Sequence, residues 1–215
     1  MSAVFVITGP SGVGKGTLIR SLRDRVPELE LSVSATTRAP RPGEVDDVDY
    51  HFLSDQEFDR QLARGDFVEH ACYSGRRYGT LRSELERRVA AGVPVVLEIE
   101  VQGARQVRRA LPEAVQVFIA PPSLEALRAR LVGRGTDDSA QVEERLRTAA
   151  RELEAQPEFR HVVVNDRLED AVEELVRIVR GVVGTLRAPD ERPTPPRSLR
   201  ASTACSTTST RTTRA

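Results

Sequence analysis

Two rhythms of apolar and polar positions run along the chain. Short apolar runs at Ala3–Ile7, Val93–Glu100, Val115–Ile119 and His161–Val164 read as strands, that at Val93–Glu100 as a buried one. Between and after them, helical spacing predicts helices at Thr17–Arg25, Arg82–Ala91, Gln102–Ala110, Ser123–Leu131, Ser139–Ala155 and Leu168–Val179. Strands alternating with helices of this length predict an α/β three-layer sandwich around a parallel core sheet. Ligands of such sheets bind at the carboxyl ends of the strands.

Residues 34–80 break the rhythm. Ser34–Glu44 is proline-rich and extended, and Asp49–Phe52 reads as a short strand. Ser54-Asp-Gln-Glu57 is a capping box opening a helix to about Arg64, stopped by Gly65. Phe67–Thr80 alternates around a glycine like a hairpin. The pattern predicts a folded unit over 1–186, with its core at 1–33 and 81–186 and a small, mostly β subdomain inserted at 34–80. Gly133-Arg-Gly135 reads as a break before a charged helix.

Charge and composition alter this picture only at the end of the chain. The 215 residues carry no net charge, yet residues 187–215 hold six arginines against two acids and are rich in Ser and Thr. Such a segment buries too little surface to offset its ordering entropy, and disorder is expected. No apolar run is long enough to span a bilayer and no leader pattern is visible, so no membrane is expected. Cys72 and Cys205 are too few for a disulfide framework, which fits a cytoplasmic protein. His51, His70 and His161 lack metal-ligand spacing. The basic tail reads first as a passenger and second as an arm for RNA or phospholipid, so no nucleic-acid partner is expected; oligomeric state is left open.

The chemistry starts at Gly9-Pro10-Ser11-Gly12-Val13-Gly14-Lys15-Gly16-Thr17, between the first strand and the first helix. That context gives GxxxxGK its mechanism: glycines curl the backbone so that N–H groups face phosphate oxygens, and the helix N-terminus adds its dipole. Of 32 Lys and Arg residues, Lys15 is the only lysine, kept where a compact charge suits the outer phosphates better than a planar guanidinium. The loop predicts ATP with Mg²⁺. Gly16 stands where many such loops carry a metal-binding hydroxyl, leaving Thr17 as the candidate ligand.

The insertion supplies a second anion site. Arg38 and Arg41 flank Pro40, so two guanidinium forks can converge on one phosphate, with Tyr50 and Tyr78 adding hydroxyls. Glu69, in an aromatic-flanked strand, can accept the adjacent N1–H and 2-amino donors of guanine, a pair that adenine lacks. Ser34 or Thr80 can donate to guanine O6.

Gly9–Thr17, Ser34–Glu44, Asp49-Tyr50, Tyr78-Gly-Thr80, Glu98-Ile-Glu100-Val-Gln-Gly103, Gly133-Arg-Gly-Thr136 and Val164-Asn165-Asp166 together resemble guanylate kinase, in order from about residue 3 to 186. The resemblance implies a P-loop NTPase fold with a five-stranded core sheet and a helical lid over about 130–155, and the reaction ATP + GMP ⇌ ADP + GDP with Mg²⁺. It implies that Arg38, Arg41, Tyr50 and Tyr78 hold the GMP phosphate, and that Ser34, Glu69, Thr80 and Glu100 hold guanine, with Glu98 beside them. Asn165 and Arg134 would lie against the ATP base, and Arg130, Arg134 and Arg145 would close over the transferring phosphoryl group. Asp47 stands where that family usually has glycine, and Arg76 where it usually has asparagine.

Overall fold

The computed structural model describes residues 3–73, 75–133 and 138–187. In chain order the strands are β1 (Val4–Thr8), β2 (Glu30–Leu31), β3 (Ser34–Thr36), β4 (Tyr50–Phe52), β5 (Phe67–Tyr73), β6 (Arg76–Leu81), β7 (Val95–Glu98), β8 (Val115–Ala120) and β9 (His161–Val164). The helices are α1 (Lys15–Arg25), α2 (Asp55–Arg64), α3 (Arg82–Ala90), α4 (Val101–Ala110), α5 (Leu124–Gly133), α6 (Ser139–Leu153) and α7 (Leu168–Arg187).

A five-stranded sheet in the order β2-β7-β1-β8-β9 is parallel at every pairing. Alternate side chains of its strands go to opposite faces. Phe5, Ile7, Val117 and Ile119 meet Leu18 and Leu22 of α1, Leu127 of α5 and Leu175 of α7. Val4, Val6, Val95 and Leu97 meet Leu85 of α3 and Ala104 and Val107 of α4. This is the three-layer sandwich that the sequence rhythm predicts. Helix α1 has no side-chain N-cap, a lack worth about 1 kcal/mol. Burial of Leu18, Ile19 and Leu22 at about 1.5–3 kcal/mol each outweighs it and fixes the helix on the sheet.

The second sheet runs β4-β3-β6-β5. Its own small core is Ala35, Phe58 and Phe67, with the two rings stacked at 4.5 Å. Helix α2 starts at the Ser54 cap, whose hydroxyl accepts from Glu57 N, and stops at Gly65. The β5–β6 register shifts between Phe67 and Glu69. This bulge sends Phe67 into the subdomain core and sets Glu69 directly opposite Thr80.

Three boundaries differ from the sequence reading. The two-residue β2 is too short to carry a periodic signal and takes its place by pairing with β7. Strand β7 ends at Glu98, and Glu100 is the N-cap of α4 rather than a strand residue. Its backbone is extended, with φ −82° and ψ 166°, so an N-cap and one more strand residue look alike in sequence. Helix α7 continues past Val179 to Arg187 because Val182 and Val183 still reach the core. Arg134 and the Ser/Thr-rich tail from residue 188 lie outside the described residues.

Candidate active site

The carboxyl ends of β1, β7, β8 and β9 converge on the glycine loop. Gly9 has φ 143°, and a Cβ there would collide with the Ile119 backbone carbonyl, so the loop leaves the sheet only through a glycine. Gly14, at φ 100°, turns the chain into α1, whose first residue is Lys15. The Lys15 side chain is buried, and its Nζ donates to Gly9 O at 2.6 Å and Pro10 O at 3.4 Å. It also lies 3.6 Å from Glu100 Oε1.

Beside the loop is an open cleft of about 500 Å³ whose walls include Val13, Thr17, Arg130, Asn165 and Asp166. Asn165 Nδ2 donates to Val13 O at 2.7 Å, and Arg130 Nη2 to Asn165 O at 2.7 Å. Both residues brace this cleft. From α6, Arg145 Nη2 donates to Ser11 Oγ at 2.9 Å. Seven residues on, Glu152 Oε2 accepts Ser11 N–H at 3.3 Å. Glu152 is a site residue that sequence reasoning missed; its two-turn spacing from Arg145 was the available signal.

The second pocket, about 220 Å³, is lined by Ser34, Tyr50, Glu69, Tyr78, Glu98 and Glu100 among others. Thr80 Oγ1 donates to Glu69 Oε1 at 2.8 Å. Thr80 therefore holds the carboxyl rather than facing the pocket, and Ser34 is left as the hydroxyl for a ligand. At the mouth, Arg38 forms a two-pronged pair with Glu44, Nη1–Oε2 and Nη2–Oε1 both 2.9 Å. Its guanidinium lies 5.2 Å from the Tyr50 ring centroid, and the Tyr50 and Tyr78 rings are 6.2 Å apart. Glu44 thus occupies the fork that an anionic ligand would take. Arg41 is exposed and meets Glu44 through its backbone N–H at 2.7 Å; its guanidinium is not drawn into this cluster by that contact. Asp47, at φ 62°, is the one non-glycine residue with positive φ among the described residues, in the backbone region that favours glycine.

Carboxyls gather between the two pockets. Burial pushes Glu69 up to about 7, against the lowering effect of Thr80. Burial also raises Glu98, which Lys15 partly offsets. Glu152 is pushed up to about 7 by burial and by the neighbouring Glu100 carboxyl. Glu69 and Glu152 keep a proton in the folded chain above about pH 4.3, where the unfolded chain has lost it. Their contribution favours the fold at low pH and disappears as pH rises through 7. Carboxylates lowered by arginine partners, such as Glu44 and Glu57, change in the acid range below that window. The melting temperature of the nucleotide-free protein is therefore expected to fall between pH 5 and pH 8 in scanning calorimetry, with a shallower fall for Glu69→Gln. An equally steep fall in that variant would show that Glu69 carries no such proton.

Among the described residues no three His, Cys, Asp or Glu side chains form a metal cage. Oxygen donors near the loop include the exposed Thr17 hydroxyl, the Glu98 carboxyl beside Gly16 and the buried Glu100 carboxyl. They suit a hard cation carried largely on phosphates and water. No helix among the described residues is long and apolar enough to cross a membrane.

Comparison with known proteins bears on all of this. A family model described as guanylate kinase matches residues 1–181. A guanylate kinase of Synechococcus sp. (strain CC9311) is 56% identical over 170 residues, covering 79% of this chain and 90% of that protein. One from Mycolicibacterium paratuberculosis is 52% identical over 202 residues, 93% of this chain and 88% of its own length. The crystal structure of guanylate kinase from Anaplasma phagocytophilum superposes with a TM-score of 0.69 at 34% identity, covering 84% of this chain and 86% of that one.

Proposed function

The chain belongs to the guanylate kinase family, and on that premise we propose how its residues divide the phosphorylation of GMP by ATP. The glycine loop with Lys15 holds the donor phosphates, and the ATP base lies in the cleft beside Asn165 and Arg130. GMP enters the pocket of the inserted subdomain. Glu69 accepts guanine N1–H and the 2-amino group, Ser34 donates to O6, and Glu98 and Glu100 close the far wall. The GMP phosphate displaces Glu44 from Arg38 and takes the Tyr50 and Tyr78 hydroxyls, with Arg41 swinging in from solvent. The closeness of Lys15 Nζ to Glu100 Oε1, 3.6 Å, carries this reading, because it joins the donor loop to the wall of the acceptor pocket.

The reaction is an in-line transfer. A GMP phosphate oxygen forms a bond to the γ-phosphorus as the bond to the ADP oxygen breaks. The nucleophile is already an anion, so no general base is required. What the protein supplies is positioning and charge. Lys15, the loop amides and Arg145 face the transferring group. Thr17 and the ATP phosphates would hold Mg²⁺, which would supply neutralisation of phosphate charge there. Closure of α6 over the loop and of the insertion over GMP excludes water. The folded unit covers 1–186, the lid runs over about 130–155, and the protein works in the cytoplasm with no nucleic-acid partner.

A coupled ADP-release assay with GMP, dGMP, IMP and AMP, on the full chain and on residues 1–187, tests this. GMP is expected to be turned over efficiently by both proteins. IMP, which lacks the 2-amino group, should lose at least tenfold in kcat/KM, and AMP far more. AMP turned over as well as GMP would refute the assignment of Glu69.

A further inference from the structure

Helix α4 packs on β5, and two of its residues reach the strand around Glu69. The Gln106 side chain donates to His70 O at 2.7 Å and accepts His70 N–H at 3.2 Å. It takes the place of a neighbouring strand at the free edge of β5. One turn earlier stands Gly103, buried in the third helical position after the Glu100 cap. A Cβ on Gly103 would approach Glu69 Oε2 more closely than side-chain carbons ever do, and would sit 3.1 Å from Glu69 Cδ and 3.4 Å from Ile99 Cδ1.

The glycine is not demanded by its backbone, which is ordinary helix. An interior glycine costs a helix about 1 kcal/mol relative to alanine. What the missing methyl leaves is room for one carboxylate oxygen. The Glu69 side chain is thus held from two sides: Thr80 grips Oε1 from β6, and α4 abuts Oε2.

We propose that Gly103 is a positioning residue for base recognition: the bare turn of α4 seats the Glu69 carboxylate at the depth where both its oxygens meet guanine. The proposal rests on Glu69 being the guanine acceptor. A methyl at 103 pushes the carboxylate toward the base or off Thr80, and it leaves the ATP loop untouched.

Steady-state kinetics of the wild type, Gly103→Ala, Glu69→Ala and the double variant, with melting temperatures, test it. Gly103→Ala is expected to raise the KM for GMP about tenfold and leave the KM for ATP within twofold. In the Glu69→Ala background the same change should alter kcat/KM for GMP less than twofold, and the helix should gain from alanine. A GMP KM within twofold of wild type for Gly103→Ala overturns the proposal. So does an equal penalty in both backgrounds, which would mark a general effect on α4. If Gly103→Ala fails to fold while the double variant folds, the carboxylate is the obstacle, as proposed; if both fail, it is not. A Glu69→Ala variant with unchanged KM for GMP instead removes the reading of Glu69, and the role of Gly103 with it.

Discussion

Lys15→Met is expected to lower kcat about 10³-fold while the KM for GMP changes by no more than a few-fold. The ammonium is buried and clasped by the Gly9 carbonyl, so its charge acts where water screens little. Removing one such group from a preorganised site typically costs 10²–10³ in kcat. Methionine keeps the length of the stem, so packing within the loop survives. Lys15→Arg is expected to rescue little: a planar fork does not fit beside Gly9 O and Pro10 O, which accept one compact donor. Rapid-quench measurement of a single turnover separates the chemical step from product release. A loss below tenfold in that step would mean that the loop amides and the lid arginines carry the transferring charge without this side chain.

Glu69→Gln is the second large effect, and it falls on the other substrate. The KM for GMP is expected to rise about 10²-fold, near 2.7 kcal/mol, with the KM for ATP unchanged. A glutamine offers one acceptor and points an N–H₂ group at one of the guanine donors, so a good contact becomes a repulsive one. The preference for GMP over IMP should shrink with it, because that preference depends on both oxygens accepting. The wild-type KM for GMP is also expected to rise below pH 7, since GMP must expel the proton that burial favours on Glu69; the glutamine variant should show no such dependence. An unchanged KM for GMP in Glu69→Gln would place guanine elsewhere.

Strands β1, β7 and β8 of the core sheet were legible because they are buried on both faces and announce themselves as apolar runs; β9 shows as a valine run although half-buried, and the two-residue β2 does not show at all. The loop was legible because glycine spacing, a preceding strand and a following helix coincide within residues 3–25. Contacts between distant segments were not. Thr80 and Glu69 both stood out in sequence, but only the β5–β6 register makes one the anchor of the other. Gly103 looked like part of a family string; the reason for its missing methyl is a carboxylate 34 positions away in the chain. Glu152 read as one acid among many on a charged helix until α6 laid it on Ser11 N–H. Glu100 follows an apolar run directly and keeps an extended backbone, so nothing in its local sequence separates the N-cap of α4 from one more strand residue. Side chains whose role depends on a helix docking or a strand bulge leave no periodic trace in the chain.

The solitary lysine has a use of its own. Apart from the terminal amine, the polypeptide holds one primary amino group, and the fold stores it under a backbone carbonyl. Lysine enriched with ¹⁵N at Nζ alone would therefore give a single side-chain resonance, seated in the glycine loop, with no assignment to be made. Acylating reagents become a gauge of the same place: their rate of attack on that nitrogen reports how often the loop lets it go.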